Sequence, residues 1–175
     1  MIIGFTGRKG AGKSAAAAVV QKFGFEPMSF AWTIKQMART LLLNLGLDEQ
    51  QIVSAQLDKK QIILPLGISY RYLCQTLGTE WGRHHLHPDV WVMVTRHLMK
   101  QHTRVVFDDV RFENEAAMIR DAGGLIVHIE RQGVEDDAHQ SEKGILLNDK
   151  DVLIFNNRGM DYLESAVMHV VQPYL

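Results

Sequence analysis

Gly7-Arg8-Lys9-Gly10-Ala11-Gly12-Lys13-Ser14 satisfies G-x-x-x-x-G-K-[ST] at each fixed position. Glycines let such a backbone curl until successive N–H groups converge on phosphate oxygens. Lys13 is then placed for the β- and γ-phosphates, and the Ser14 hydroxyl for a magnesium ion. A helix opening here adds the positive end of its dipole. The expected contacts to a nucleoside triphosphate such as ATP are Gly7, Lys9, Gly10, Ala11, Gly12, Lys13, Ser14 and Ala15. A chance match in a chain this long has a probability of about 1%. The motif names the ligand class, but does not choose between a kinase, a switch and a motor.

A second group lies far along the chain, in Val105-Val106-Phe107-Asp108-Asp109-Val110-Arg111-Phe112. Carboxylates and an arginine here follow a buried strand, and open parallel sheets bind ligands at that edge. Asp109 is the carboxylate expected to hold magnesium with Ser14, or to orient an acceptor phosphate. Arg111 can grip a phosphate through two parallel N–H bonds. Asp108 is expected to be structural, because only one of two adjacent strand residues faces the loop. Arg131, just after another strand, is expected to offset charge as phosphoryl transfer proceeds. Lys35, Arg39, Arg71 and Arg83 are basic residues in a helical region, where an acceptor phosphate needs countercharge. Trp81 is a candidate for stacking on a nucleobase, whereas Trp91 reads as core.

Other patterns dissolve on inspection. Asp121-Ala122-Gly123-Gly124 has the letters of a γ-phosphate sensor, but it closes a helix instead of following a strand. Asn148-Asp149-Lys150-Asp151 holds the letters of a guanine-reading motif in the wrong order. His84-His85-Leu86-His87 has no companion Cys or carboxylate cluster at ligand spacing, so it reads as surface loop rather than metal site. Cys74, the single cysteine, excludes an internal disulfide and reads as a small core residue.

The elements that must position these groups follow from hydrophobic patterning. Short apolar runs at Ile2–Phe5, Arg104–Phe107, Leu125–Ile129 and Val152–Phe155 read as buried strands. Helices are expected over Gly12–Phe23, Phe30–Leu45, Ser69–Leu77, Pro88–Gln101, Glu113–Ala122 and Met160–Val171. Alternation of this kind predicts an α/β, three-layer fold: a parallel sheet flanked by helices. The helical block at about 30–101 is an insertion suited to binding an acceptor, within a single domain spanning 1–175. Arg131–Gly144 is polar, holds Glu135-Asp136-Asp137, and reads as a lid that would exclude water from the reaction.

Composition narrows the class. The chain has 175 residues, 46% hydrophobic, with a formal net charge of −1. Disordered chains are poorer in apolar residues, and proteins whose partner is a nucleic-acid backbone are more basic. No apolar run approaches the ~20 residues of a membrane span. The expectation is a cytoplasmic protein acting on small molecules, with neither nucleic acid nor membrane as partner; a homodimer is a candidate assembly.

These features resemble a known family. The phosphate loop, Ser29-Phe30-Ala31 with Lys35, Gln75-Thr76-Leu77-Gly78-Thr79-Glu80-Trp81-Gly82-Arg83, Asp109-Val110-Arg111-Phe112-Glu113-Asn114-Glu115-Ala116 and His139-Gln140-Ser141-Glu142 are similar to the bacteriophage-type deoxynucleoside monophosphate kinases. Order and spacing match from the loop to Asn156. The resemblance implies ATP and magnesium as cosubstrate, a deoxynucleoside monophosphate as acceptor, and Asp109 and Arg111 in the active centre. It also implies a lid at Arg131–Glu142 and, for a phage-encoded chain, residence in the host cytoplasm. The family often carries aspartate where this chain has Trp32. The acceptor contacts expected are Lys35, Arg71, Trp81, Arg83 and Arg111. Two other readings stay open: a related small-molecule kinase, such as one acting on dephospho-coenzyme A, and a nucleotide-binding regulatory module.

Overall fold

The computed structural model describes residues 1–64, 66–133 and 144–175. In chain order the elements are β1 (Ile2–Thr6), α1 (Lys13–Gln21), β2 (Glu26–Met28), α2 (Trp32–Asn44), α3 (Glu49–Leu57), β3 (Ile62–Ile63), β4 (Ile68–Ser69) and α4 (Tyr70–Gln75). A π-helix (Thr76–Leu86) follows, then α5 (Val90–Leu98), β5 (Val105–Phe107), α6 (Glu113–Asp121), β6 (Leu125–Glu130), β7 (Val152–Phe155) and α7 (Met160–Val171). Two compact units form, Met1–Phe30 with Thr95–Leu175, and Ala31–Val94.

The first unit is built on a five-stranded sheet in the order β2-β5-β1-β6-β7, parallel throughout. Every residue of β1 is buried, as a central strand covered on both faces requires. Ile3 and Phe5 join Val106, Val127, Ile129 and Ile154 against Ala16, Ala17 and Val20 of α1 and Leu163, Val167 and Val171 of α7. The alanines keep α1 slim and close to the sheet. On the opposite face Gly4 lies against Ile126 and Ile119, the latter from α6. Helices thus cover both sides, and the fold class is the one the sequence predicts. β2 contains Pro27, which cannot donate to a ladder and accordingly sits at the sheet's edge.

The second unit is helical apart from the antiparallel pair β3–β4. α3, absent from the sequence expectation, opens with a capping box. The Gln51 amide donates to Asp48 Oδ1 at 2.8 Å, and the Asp48 amide donates to Gln51 Oε1 at 2.9 Å. A small core gathers Ala38, Leu42, Ile52, Ala55, Ile63, Tyr70 and Leu73, with Cys74 packed against it. Burial pushes the Cys74 thiol and the neighbouring Tyr70 hydroxyl upward in pKa, which suits a packing role for the cysteine.

The expected helix over Ser69–Leu77 is realised as α4 running into the π-helix, a form rare in proteins and frequent at functional sites. Trp91 holds this wider winding in place. Its indole N–H donates to the Gly78 carbonyl at 2.7 Å, and the ring is 3% exposed, a core residue as anticipated. At Gly82 a Cβ would stand 2.4 Å from Trp91 Cζ2, so the ring occupies the space a side chain would need. Gly82→Ala is therefore expected to cost about 1–3 kcal/mol through overpacking, read as a lower melting temperature.

Of the excursion expected at Arg131–Gly144, residues 134–143 lie outside the described residues. No helix among the described residues is long and apolar enough to cross a membrane.

Candidate active site

The phosphate loop joins β1 to α1 at the carboxyl edge of the sheet. Gly7, Gly10 and Gly12 all adopt positive φ. At Gly12 (φ +113°) a Cβ would meet Asn156 Nδ2 at 2.6 Å and Leu163 Cδ2 at 3.0 Å, so both conformation and space demand glycine. Asn156, 4% exposed, explains that closeness. Its side-chain amide donates to the Ala11 carbonyl at 2.8 Å, and its own N–H donates to the Glu130 carbonyl at 2.7 Å. One residue beyond β7 thus braces the loop against β6. Lys13 Nζ donates to the Gly7 and Arg8 carbonyls at 2.6 and 2.8 Å, bringing the ammonium back across its own loop. Ala11 is buried, whereas Lys9 and Ser14 are exposed.

Ser14 Oγ donates to Asp108 Oδ2 at 2.6 Å. The sequence names Ser14 and Asp109 as the magnesium ligands; the carboxylate that the Ser14 hydroxyl meets here is Asp108. The strict alternation behind that expectation ends with β5 at Phe107, so both acids belong to the loop beyond it. Asp109 turns to the exit of β2, accepting from Ser29 Oγ at 2.6 Å and from the Phe30 amide at 3.2 Å. The Phe30 ring stacks on Phe107 at 4.7 Å between centroids. Asp109 therefore ties the Ser29-Phe30 segment to the end of β5.

Arg111 is held by its backbone. Its N–H donates to Glu115 Oε2 at 2.8 Å, and that oxygen also accepts from the Phe112 N–H at 3.1 Å. Glu115 is 3% exposed and caps α6 from within. It shapes the turn that carries Arg111, and the sequence reading passed over it. The acid three residues into a helix was the available signal.

A cavity of about 460 Å³ opens beside the loop, in the size range of small-ligand sites. Thr6, Gly7, Arg8, His128, Arg131 and Phe155 are among its lining residues. Arg131 is exposed there, one residue past β6. The Thr6 hydroxyl is buried with no hydrogen-bond partner among the described residues.

The remaining candidates belong to the second unit. Lys35 is exposed on α2, and Arg71 is half-buried on α4. Arg83 is buried in the π-helix and donates from Nη1 to the Pro88 carbonyl at 2.9 Å. Trp81 is 40% exposed, in contrast to Trp91. Arg39 pairs with Glu49. His84, His85 and His87 are exposed, and among the described residues no group of His, Cys, Asp and Glu could hold a metal by itself.

Three comparisons place this arrangement among known proteins. Residues 46–167 match the family model described as deoxynucleotide monophosphate kinase. A deoxynucleotide monophosphate kinase of Acanthamoeba polyphaga mimivirus is 31% identical over 98% of this chain and 96% of its own length. The deoxynucleoside-5'-monophosphate kinase of Escherichia phage T5 is 30% identical over 69% of this chain and 49% of its own. In three dimensions the chain is similar to TT1252 from Thermus thermophilus, with a TM-score of 0.51 and 16% identity over 100% of this chain and 98% of that one. That structural likeness supports the α/β fold. The family match extends across the Asp109–Glu115 turn and the π-helix, and the mimivirus alignment takes in almost the whole chain, so the protein is a kinase that belongs to the deoxynucleotide monophosphate kinase family.

Proposed function

We propose that the protein transfers the γ-phosphoryl group of ATP to a deoxynucleoside 5'-monophosphate, giving the diphosphate directly and with magnesium. The observation carrying this reading is the Ser14–Asp108 hydrogen bond at the mouth of the phosphate loop, beside Lys13. A hydroxyl and a carboxylate are the hard oxygen donors magnesium accepts, and few protein ligands suffice because phosphates and water complete its shell. The residues fit the ion: Ser14 and Asp108 would hold it, and the chemistry it would supply is neutralisation of charge developing on the phosphates.

The chain's own residues supply positioning and countercharge. The loop amides and Lys13 hold the triphosphate. The cavity beside the loop takes the donor's nucleoside, and Arg131, on its rim, offsets charge on the phosphates. Arg111 grips the reacting phosphates through its fork, and Asp109 sets the Ser29-Phe30 segment. Lys35, Arg71, Trp81 and Arg83 bind the acceptor, the second unit serving as the acceptor-binding part of one kinase domain. No covalent intermediate is needed, since orientation and electrostatics account for this chemistry.

Screening common ribo- and deoxynucleoside monophosphates for ADP release tests the reading. At least one deoxynucleotide is expected to raise turnover tenfold or more above the acceptor-free rate. Acceptor-independent hydrolysis would favour a regulatory module, and a response to dephospho-coenzyme A alone would move the enzyme to another substrate.

A further inference from the structure

One polar network in the first unit has no part in phosphate binding. It centres on Asp151, whose side chain is 1% exposed just before β7. Arg120 of α6 engages it with both arms of its fork, Nε to Oδ1 at 3.0 Å and Nη2 to Oδ2 at 2.6 Å. His128 Nε2 lies 3.0 Å from the same Oδ2, and the Asn148 amide donates to that oxygen at 3.0 Å. Burial pushes the Asp151 carboxyl up. The bonds from Arg120, Asn148 and His128 outweigh burial and leave it below the usual carboxylate range.

The network reaches the cavity by a second route. Arg120 Nη2 also donates to the Leu146 carbonyl at 3.3 Å, and the Leu146 amide donates to Glu113 Oε1. Glu113 and Arg120 are seven residues apart on one face of α6, so the backbone of a single residue, Leu146, is held at both its polar groups. The side chains of that stretch contribute little anchoring, because Leu146 and Leu147 are 80% and 56% exposed. Polar bonds, rather than apolar burial, fix this backbone. Its neighbours Gly144 and Ile145 form a wall of the cavity that His128 and Thr6 also line. Thr6 and His128 are register partners on adjacent strands.

We propose that Glu113, Arg120 and Asp151 are positioning residues for the donor nucleotide: they clamp the Leu146 peptide and the His128 ring, and so set the shape of the cavity beside the phosphate loop. This rests on the reading that the cavity receives the donor's nucleoside. The clamp acts on how well the donor seats and leaves the acceptor untouched.

The test compares KM for ATP and for the deoxynucleoside monophosphate in three variants. Glu113 is half-exposed, so Glu113→Ala removes the Leu146 bond with little risk to folding. It is expected to raise the KM for ATP about tenfold, with the acceptor KM within twofold and the melting temperature nearly unchanged. Glu113→Gln keeps an oxygen that accepts from Leu146 and is expected to restore the KM to within twofold. Ile145→Trp fills the cavity directly and is expected to raise the KM for ATP on its own. If Glu113→Ala leaves that KM unchanged while Ile145→Trp raises it, the clamp is overturned and the cavity assignment stands. If neither variant moves it, the cavity assignment falls as well. A parallel rise in both KM values with a large drop in melting temperature would reduce the network to fold maintenance. Failure of the Gln variant to rescue would assign the effect to charge instead of the peptide bond it holds.

Discussion

Lys13→Ala is expected to lower turnover by about 10³-fold or more, roughly 4 kcal/mol of transition-state stabilisation. The magnitude follows from where the ammonium stands. Its bonds to the Gly7 and Arg8 carbonyls keep it at the loop's mouth, where charge shifts toward the leaving phosphate. A neutral methyl group leaves that charge uncompensated. The fold should persist, because the core is formed by Ile3, Phe5, Val127 and their neighbours, and Lys13 has no part in it. Turnover measured beside thermal unfolding separates the two effects. A variant of normal turnover would remove the phosphate loop from the catalytic site.

The second large effect is expected at Asp108. Asp108→Asn should lower turnover by about 10²-fold or more, roughly 3 kcal/mol, and added magnesium should recover part of it if, as proposed, the carboxylate that Ser14 donates to holds the ion. Asp109→Asn should act differently. It weakens charge-assisted bonds from Ser29 and Phe30, worth about 1.5–3 kcal/mol each. Lower stability and activity follow, with no rescue by magnesium. Magnesium titrations of both variants decide the matter. A magnesium-dependent defect at Asp109 instead of Asp108 would return the metal to the acid that strand alternation selects.

The contrast between these acids shows what a chain reveals about its own site. The phosphate loop was legible because glycines, lysine and serine in eight consecutive residues encode the loop's shape locally. Strands β1 and β5 were legible because burial on both faces leaves unbroken apolar runs, and β6 and the edge strand β7 because they are short and rich in apolar residues. β2 was not: Glu26-Pro27-Met28 has no strand pattern, and its extended form comes from pairing with β5. α3 was not legible either: only Ile52 and Ala55 are buried, so its apolar face is too slight to show as a period, although Asp48 and Gln51 form a capping box. The roles of Asn156 and Arg120 are not legible because their partners are fixed by tertiary packing, whereas Glu115 bonds locally and leaves the signal of an acid in the first turn of a helix. An asparagine that braces a loop 145 residues away has no local signature. Alternation does not choose between Asp108 and Asp109 for a related reason: periodicity stops where the strand stops.

The π-helix at Thr76–Leu86 bears on how this protein can change over generations. Such winding accommodates roughly one extra residue per turn compared with an α-helix. Loss of a single codon there has somewhere to go: the chain can rewind toward α geometry without opening a gap. Side chains within the stretch, Trp81 and Arg83 among them, then shift their angular positions about the axis as the winding tightens, while the flanking elements keep theirs. The length of this stretch thus becomes a heritable variable alongside the identity of its residues. In α6 the same deletion would carry Arg120 away from Asp151 with no slack to absorb it. Insertions and deletions among relatives should accordingly gather in the wide helix and spare the narrow one.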